Sequence, residues 1–195
     1  FSLLEASHVV FTFGTAWVYK HLEKDTIVAN CHKVPQKEFV KHLLSPDDVS
    51  DVLLGIETKL RTINPTCSII NTVSPVRHIK DGLIANSRSK AHLIAGVQEI
   101  VSPEKLNYYF PSYEIMMDEL RDYRYYKEDL IHPNQTAIAI IWNAFTGSWI
   151  CPETAALQKK IATIQSGLLH TPFNGHSKAH LLFKKDLEVQ ISQVQ

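Results

Sequence analysis

Asp129-Leu130-Ile131-His132-Pro133 sets a carboxylate and an imidazole three residues apart, just before a long apolar run. An imidazole can take the proton of a hydroxyl nucleophile, and a carboxylate behind it fixes the tautomer and stabilises the imidazolium. Those two roles make Asp129 and His132 the candidate catalytic residues. The alternative is an exposed Asp capping a loop and a His opening the next helix. A second cluster, Ser74-Pro75-Val76-Arg77-His78, follows an apolar, β-branched run. Arg77 could clamp an anionic or carbonyl oxygen there, and His78 could exchange a proton. A third, Asn30-Cys31-His32-Lys33, offers an amide donor for an oxyanion and a second base. Cys31 beside His32 suggests a thiol nucleophile, but neighbouring side chains of an extended segment point to opposite faces.

The other histidines do not cluster. Of the ten in the chain, His170, His176 and His180 form a loose C-terminal group. His176 and His180 would share a helix face, yet no Cys pair joins them, so they are read as surface residues and no metal is expected. Six tyrosines between Tyr108 and Tyr126, with Arg121 and Arg124, make an aromatic and cationic stretch. It could stack a sugar or a base, but half-buried packing is the reading taken. Lys plus Arg and Asp plus Glu are each 20, so the chain lacks the basic field of a non-specific nucleic-acid binder or a polybasic membrane-surface protein. Three widely spaced cysteines, an odd number, exclude a disulfide scaffold and suggest reduced thiols in the cytoplasm. The apolar stretch Ala137 to Trp142 is far too short to span a bilayer.

The elements that position these groups alternate. Ser7 to Phe13 reads as a buried strand ending at Gly14, and Tyr19 to Val28 as a hairpin around Glu23-Lys24-Asp25. Ser45-Pro46-Asp47-Asp48 opens a helix, with a cap, a first-turn proline and two carboxylates at the positive end of the dipole. Val49, Val52, Leu53, Ile56 and Leu60 give it one apolar face, and Asn64-Pro65 stops it. Cys67 to Val73 is the next strand, Ser87 to Val101 the next helix, and Leu106 to Phe110 a third strand. A short helix over Tyr113 to Leu120 and helices over 135–150, over 152–169 and from Ser177 onward complete the pattern. Strands alternating with helices imply a parallel sheet, whose ligands sit beyond the carboxyl ends of its strands. Gly14, Ser74 to His78 and the segment after Phe110 lie at those ends.

The segments Phe13 to Tyr19, Ala29 to Pro35, Thr72 to His78, Asn86 to His92, Phe110 to Ile115 and Asp129 to Pro133, in this order, closely resemble the bacterial GSCFA family. The family is named for a Gly-Ser-Cys-Phe-Ala motif and is similar to SGNH-type hydrolases, which have a flavodoxin-like α/β fold and mostly act as esterases. By that resemblance Asp129 and His132 match the carboxylate and base of the last SGNH block, and Gly14 matches the Gly of the third. SGNH enzymes follow that Gly with Asn-Asp, whereas this chain has Thr15, Ala16 and Trp17. The resemblance therefore implies that the side-chain oxyanion donor is lost or supplied elsewhere, as by Asn30. Neither Gly-Ser-Cys-Phe-Ala nor Gly-Asp-Ser occurs in the 195 residues, so the nucleophilic Ser and the first strand are expected upstream.

The expectation is a three-layer, flavodoxin-like (SGNH-hydrolase-like) parallel sheet over 1–169 that lacks its first strand, with a helical tail over 170–195. Its expected function is hydrolysis of an ester or acyl group, including an acylated carbohydrate, with Asp129 and His132 catalytic. Gly14, Asn30, His32, Arg77 and His78 would bind substrate or the oxyanion. The alternative is a non-enzymatic ligand-binding module on the same fold. A small-molecule or carbohydrate ester is the expected partner; no cofactor, nucleic acid or membrane is expected, and the oligomeric state is left open.

Overall fold

In the computed structural model, residues 3–28, 30–31, 33–173 and 177–194 are described. The chain falls into two units, Phe1–Ile141 and Trp142–Gln195.

The first unit is built on a three-stranded parallel sheet in the order β1, β5, β6. β1 is His8–Phe13, β5 is Ser68–Val73 and β6 is Asn107–Tyr109. Phe13 pairs with Val73 and Asn71 with Tyr109, so all three strands end on one side. β5 is central and buried from Ile69 to Val73; its β-branched residues suit that place, and the polar Asn71 among them is satisfied by Asn107 and the Tyr108 carbonyl. β1 is an edge strand, and its alternate residues His8, Val10 and Thr12 are exposed. The third strand is one residue shorter at each end than expected; Leu106 before it is left-handed at φ 57°, with its carbonyl accepting from the Ile69 amide at 2.8 Å.

Between β1 and the first helix lies a separate antiparallel sheet, which breaks the expected simple alternation. It has the order β3, β2, β4, with β2 at Trp17–His21, β3 at Thr26–Val28 and β4 at Phe39–Leu43. The hairpin expected over Tyr19 to Val28 is the β2–β3 pair, with Asp25 left-handed in its turn. β4 was not foreseen, because Phe-Val-Lys-His-Leu places a cation and an imidazole in a run of only five residues.

Helix α1, Pro46–Ile63, begins at Ser45 in a reciprocal capping box with Asp48. Val49, Leu53 and Leu60 are buried along it. Val52, about 80° off that line at 100° per residue, is exposed. Helix α2, Leu83–Gln98, starts four residues before the expected Ser87, directly after Gly82 at φ 92°. α1 and α2 meet where Gly96 has no side chain: a Cβ there would lie 2.6 Å from the Pro46 carbonyl and 2.7 Å from Val49 Cβ. Ala16, Val49, Leu53, Val73, Leu93, Val97 and Ile100 form the core beside them. After β6, α3 (Ser112–Glu114) runs directly into a π-helix, Ile115–Leu120, where a plain short helix was expected.

α4 covers Gln135–Trp149. In the second unit, α5 (Ala155–Leu169) and α6 (Lys178–Ser192) bury Ile164 and Leu187, with Ser177 capping α6. Gly167 gives Leu187 its space, since a Cβ there would lie 2.8 Å from Leu187 Cδ1. Among the described residues no helix is long and apolar enough to cross a membrane.

Candidate active site

The loop between the π-helix and α4 is tied at several points. Lys127 N–H donates to the His132 carbonyl at 2.8 Å, Leu130 N–H to the Lys127 carbonyl at 2.9 Å, and Tyr126 bridges to Pro133. Leu130, at φ 56°, makes the reversal. Asn134 closes the loop by accepting from Ala137 N–H at 3.1 Å and donating to the Arg124 carbonyl at 2.6 Å, which also caps α4. Inside this turn Asp129 Oδ2 lies 2.8 Å from His132 Nδ1. Its other oxygen accepts from the amides of Ile131 at 2.8 Å and His132 at 3.0 Å. The His132 amide first, then its ring and the Ile131 amide, hold the Asp129 carboxyl down at about 2. With Nδ1 carrying the proton toward Asp129, Nε2 presents a lone pair. The side chains are 42% and 51% exposed, so Nε2 is reachable from solvent.

Arg77 joins this loop to the end of β5. Its amide donates to the Ile131 carbonyl at 3.3 Å and its Nη1 to the Leu130 carbonyl at 3.2 Å. Its guanidinium carbon sits 4.3 Å from the Tyr126 ring centroid and 5.5 Å from that of Tyr123. His78, one residue on, lies against Gly14: a Cβ on that glycine would be 2.9 Å from His78 Nε2. The His78 amide donates to Asn86 Oδ1 at 2.7 Å. Burial first, and then the charge of Lys90, lower the His78 imidazole below its ordinary range, which favours the neutral ring.

Three residues of α2 that sequence reasoning did not single out hold these strand ends. Lys90, 1% exposed, donates at 2.6 Å to both the Gly14 and the Ser74 carbonyls, the first residues after β1 and β5. Burial pushes its ammonium down to about 8. Ser89 accepts from the Ala16 amide at 2.7 Å and lies 2.9 Å from the Thr15 hydroxyl. Asn86 holds His78 as described. A signal for them exists: positions 86, 89, 90, 93 and 97 follow helical spacing, so three polar residues continue the stripe of buried Leu93 and Val97. Opposite them, Ser112 donates to the Val73 carbonyl at 2.8 Å and Thr72 lies 2.7 Å from it.

The small antiparallel sheet steadies the same region. Lys41 of β4 pairs with Asp81 and lies 4.9 Å over the Trp17 ring. Trp17 Nε1 donates to the Ala85 carbonyl at 3.4 Å, fixing the start of α2 beside His78.

The structure thus joins Asp129 with His132, Arg77 with their loop, and His78 with Gly14. Asn30 is exposed in the connection after β3, and His32 and His176 lie outside the described residues. Cys31 is partly buried. His180 stacks on Phe183, and His170 meets the same ring edge-on.

The GSCFA family model matches residues 2–145, which include every element of this site. The chain belongs to the GSCFA family. No curated protein and no solved structure matches it. GSCFA membership suggests a hydrolase-like function, and the matched span holds both the parallel sheet and the Asp129–His132 loop.

Proposed function

We propose that this GSCFA chain hydrolyses an ester or acyl group by an SGNH-type Ser-His-Asp mechanism, on a three-layer flavodoxin-like fold. A serine upstream of β1 is the nucleophile, carried on a strand that pairs with the open edge of β1. The observation that carries this reading is the 2.8 Å contact of Asp129 with His132 Nδ1, made in a loop tied through Arg77 to the carboxyl end of the parallel sheet.

The serine hydroxyl attacks the acyl carbon as its proton passes to His132 Nε2. Asp129 stabilises the imidazolium and stays ionised. The tetrahedral intermediate collapses, the bond from the acyl carbon to the leaving oxygen breaks, and His132 returns the proton to that oxygen. Water then repeats the sequence on the acyl-enzyme and frees the acid. Ser74 N–H donates to the Phe13 carbonyl at 2.9 Å, and the alternation of a parallel ladder turns the Gly14 amide the other way, toward the open edge. That amide is the proposed oxyanion donor, and Lys90 holds the following peptide by the Gly14 carbonyl. An acylated carbohydrate or small-molecule ester is the proposed substrate.

One observation favours the second reading, a ligand-binding module. Thr15 and Ala16, which replace the Asn-Asp of SGNH enzymes, are both engaged by Ser89 and offer no side-chain amide. Hydrolysis of p-nitrophenyl acetate by the full-length protein separates the two. The hydrolase reading expects turnover that falls by roughly a thousandfold or more in His132→Ala and steeply in Asp129→Asn. Turnover unaffected by His132→Ala refutes it, and no turnover on any of several acyl esters favours the binding module.

A further inference from the structure

Beside the Asp129–His132 loop, Arg77, the π-helix and the segment after it line a second feature. A cavity of about 210 Å³ is lined by Arg77, Met116, Arg121, Asp122, Tyr123 and Tyr126, among others. Two arginines, Arg77 and the exposed Arg121, line it, and among the described residues neither has a carboxylate within ion-pair distance. The Asp122 carboxylate at the rim is engaged elsewhere. One oxygen accepts from the Arg124 amide at 2.8 Å, and the other lies 3.5 Å from Arg124 Nε.

The backbone around the cavity is unusual. Arg121 N–H donates to the Met116 carbonyl, five residues back, at 3.2 Å, and Arg121 itself is left-handed at φ 32°. π-turns and left-handed non-glycine residues are costly and gather at functional sites. Here they bring a second arginine to the wall that Arg77 already lines. Tyr126 is buried under the Arg77 guanidinium and supplies a flat wall, and Tyr123, 63% exposed, flanks the opening. Arg77 spends Nη1 on Leu130, and the rest of its planar fork of N–H donors remains for a planar acceptor.

We propose that this cavity is a subsite for a carboxylate-bearing part of the substrate, bound by Arg77 and Arg121 against the tyrosine rings. The inference rests on the hydrolase reading for its place beside the reacting ester, and it names the substrate class as an anionic ester. The charge has two chemical sources, a half-ester of a dicarboxylic acid or a uronic-acid ring. The first carries it on the acyl side of the bond, the second on the alcohol side. Asp118, Glu119 and Glu128, all exposed nearby, oppose an anion, so the preference comes from the forked contact rather than from the net field.

The test is calorimetric titration of the full-length protein with two pairs of probes. Monomethyl succinate is compared with dimethyl succinate, and methyl glucuronoside with methyl glucoside. At least one carboxylate is expected to bind about tenfold or more tighter than its neutral twin, in keeping with charge-assisted hydrogen bonds. The preference is expected to vanish in Arg121→Gln and to survive in part in Arg121→Lys, which keeps the charge but not the fork. The pair that shows it identifies the acyl or the sugar side. Equal binding of both members in both pairs, or a preference untouched by Arg121→Gln, overturns the proposal. Binding is read without turnover, so the two readings fail separately. A charge preference without hydrolysis removes the hydrolase reading alone, and His132-dependent hydrolysis without a charge preference removes the subsite alone.

Discussion

Lys90 is 1% exposed, with its ammonium shared between the Gly14 and Ser74 carbonyls. Burial lowers it from 10.5 to about 8. The folded value lies below the unfolded one, so between those two pH values the unfolded chain keeps a proton that the folded chain has released. Stability therefore rises with pH across that window. A group moved by this much adds about 2 kcal/mol to the unfolding free energy between about pH 7 and 10. The assay is urea unfolding at several pH values in that range, for the wild type and for Lys90→Met. The difference between the two isolates Lys90 from other groups. Cys67 is one of these: burial raises its thiol, which works in the opposite direction as pH rises through its ordinary value. The wild type is expected to gain on the variant by about 2 kcal/mol from about pH 7 to 10. A difference that stays flat means that Lys90 is not buried as a cation, and its role as the strut between the two strand ends is then wrong.

The Asp129 carboxyl is expected to titrate at about 2 by carbon-detected NMR, so its contact with His132 persists as pH falls below the ordinary Asp value and is lost only near that midpoint. His132→Ala should restore only part of the shift, because the amides of residues 131 and 132 still donate to the carboxylate; full return to an ordinary value would mean that the turn does not hold Asp129. Gly96→Ala drives a Cβ to 2.6 Å from the Pro46 carbonyl, and a cost of roughly 2–3 kcal/mol is expected in chemical unfolding. Gly14→Ala meets only the tip of His78, at 2.9 Å, and should cost less than about 1 kcal/mol while displacing the ring seen by histidine NMR. Equal costs at the two glycines would contradict the packing described.

The parallel sheet and its main helices were legible because their signals are local. Cys67 to Val73 is rich in β-branched residues, with Ile69, Ile70, Thr72 and Val73, and Ser45 to Asp48 carries a complete capping pattern. Asp129 and His132 were legible as a pair because only two residues separate them and a single turn brings them together. What escaped depends on contacts distant in sequence. Lys90 reads as a solvated helix residue until the ends of β1 and β5 arrive 76 and 16 residues away. β4 is too short and too polar to declare itself, and it forms because β2 offers it an edge. The π-helix follows an ordinary amphipathic sequence, and only the left-handed Arg121 marks it. Arg77 was legible as a strand-end cation but not as the tie to Leu130 and Ile131, since that loop lies 53 residues on.

The central claim is that His132 serves a serine carried upstream of β1. Treatment of the full-length protein with diisopropyl fluorophosphate, followed by peptide mass spectrometry, tests it most directly. The expected result is one phosphorylated serine, N-terminal to the residue numbered Phe1 here, with labelling slowed by roughly a thousandfold in His132→Ala. A label on a serine within the 195 residues, such as Ser74, or labelling at the same rate in His132→Ala, would contradict the account.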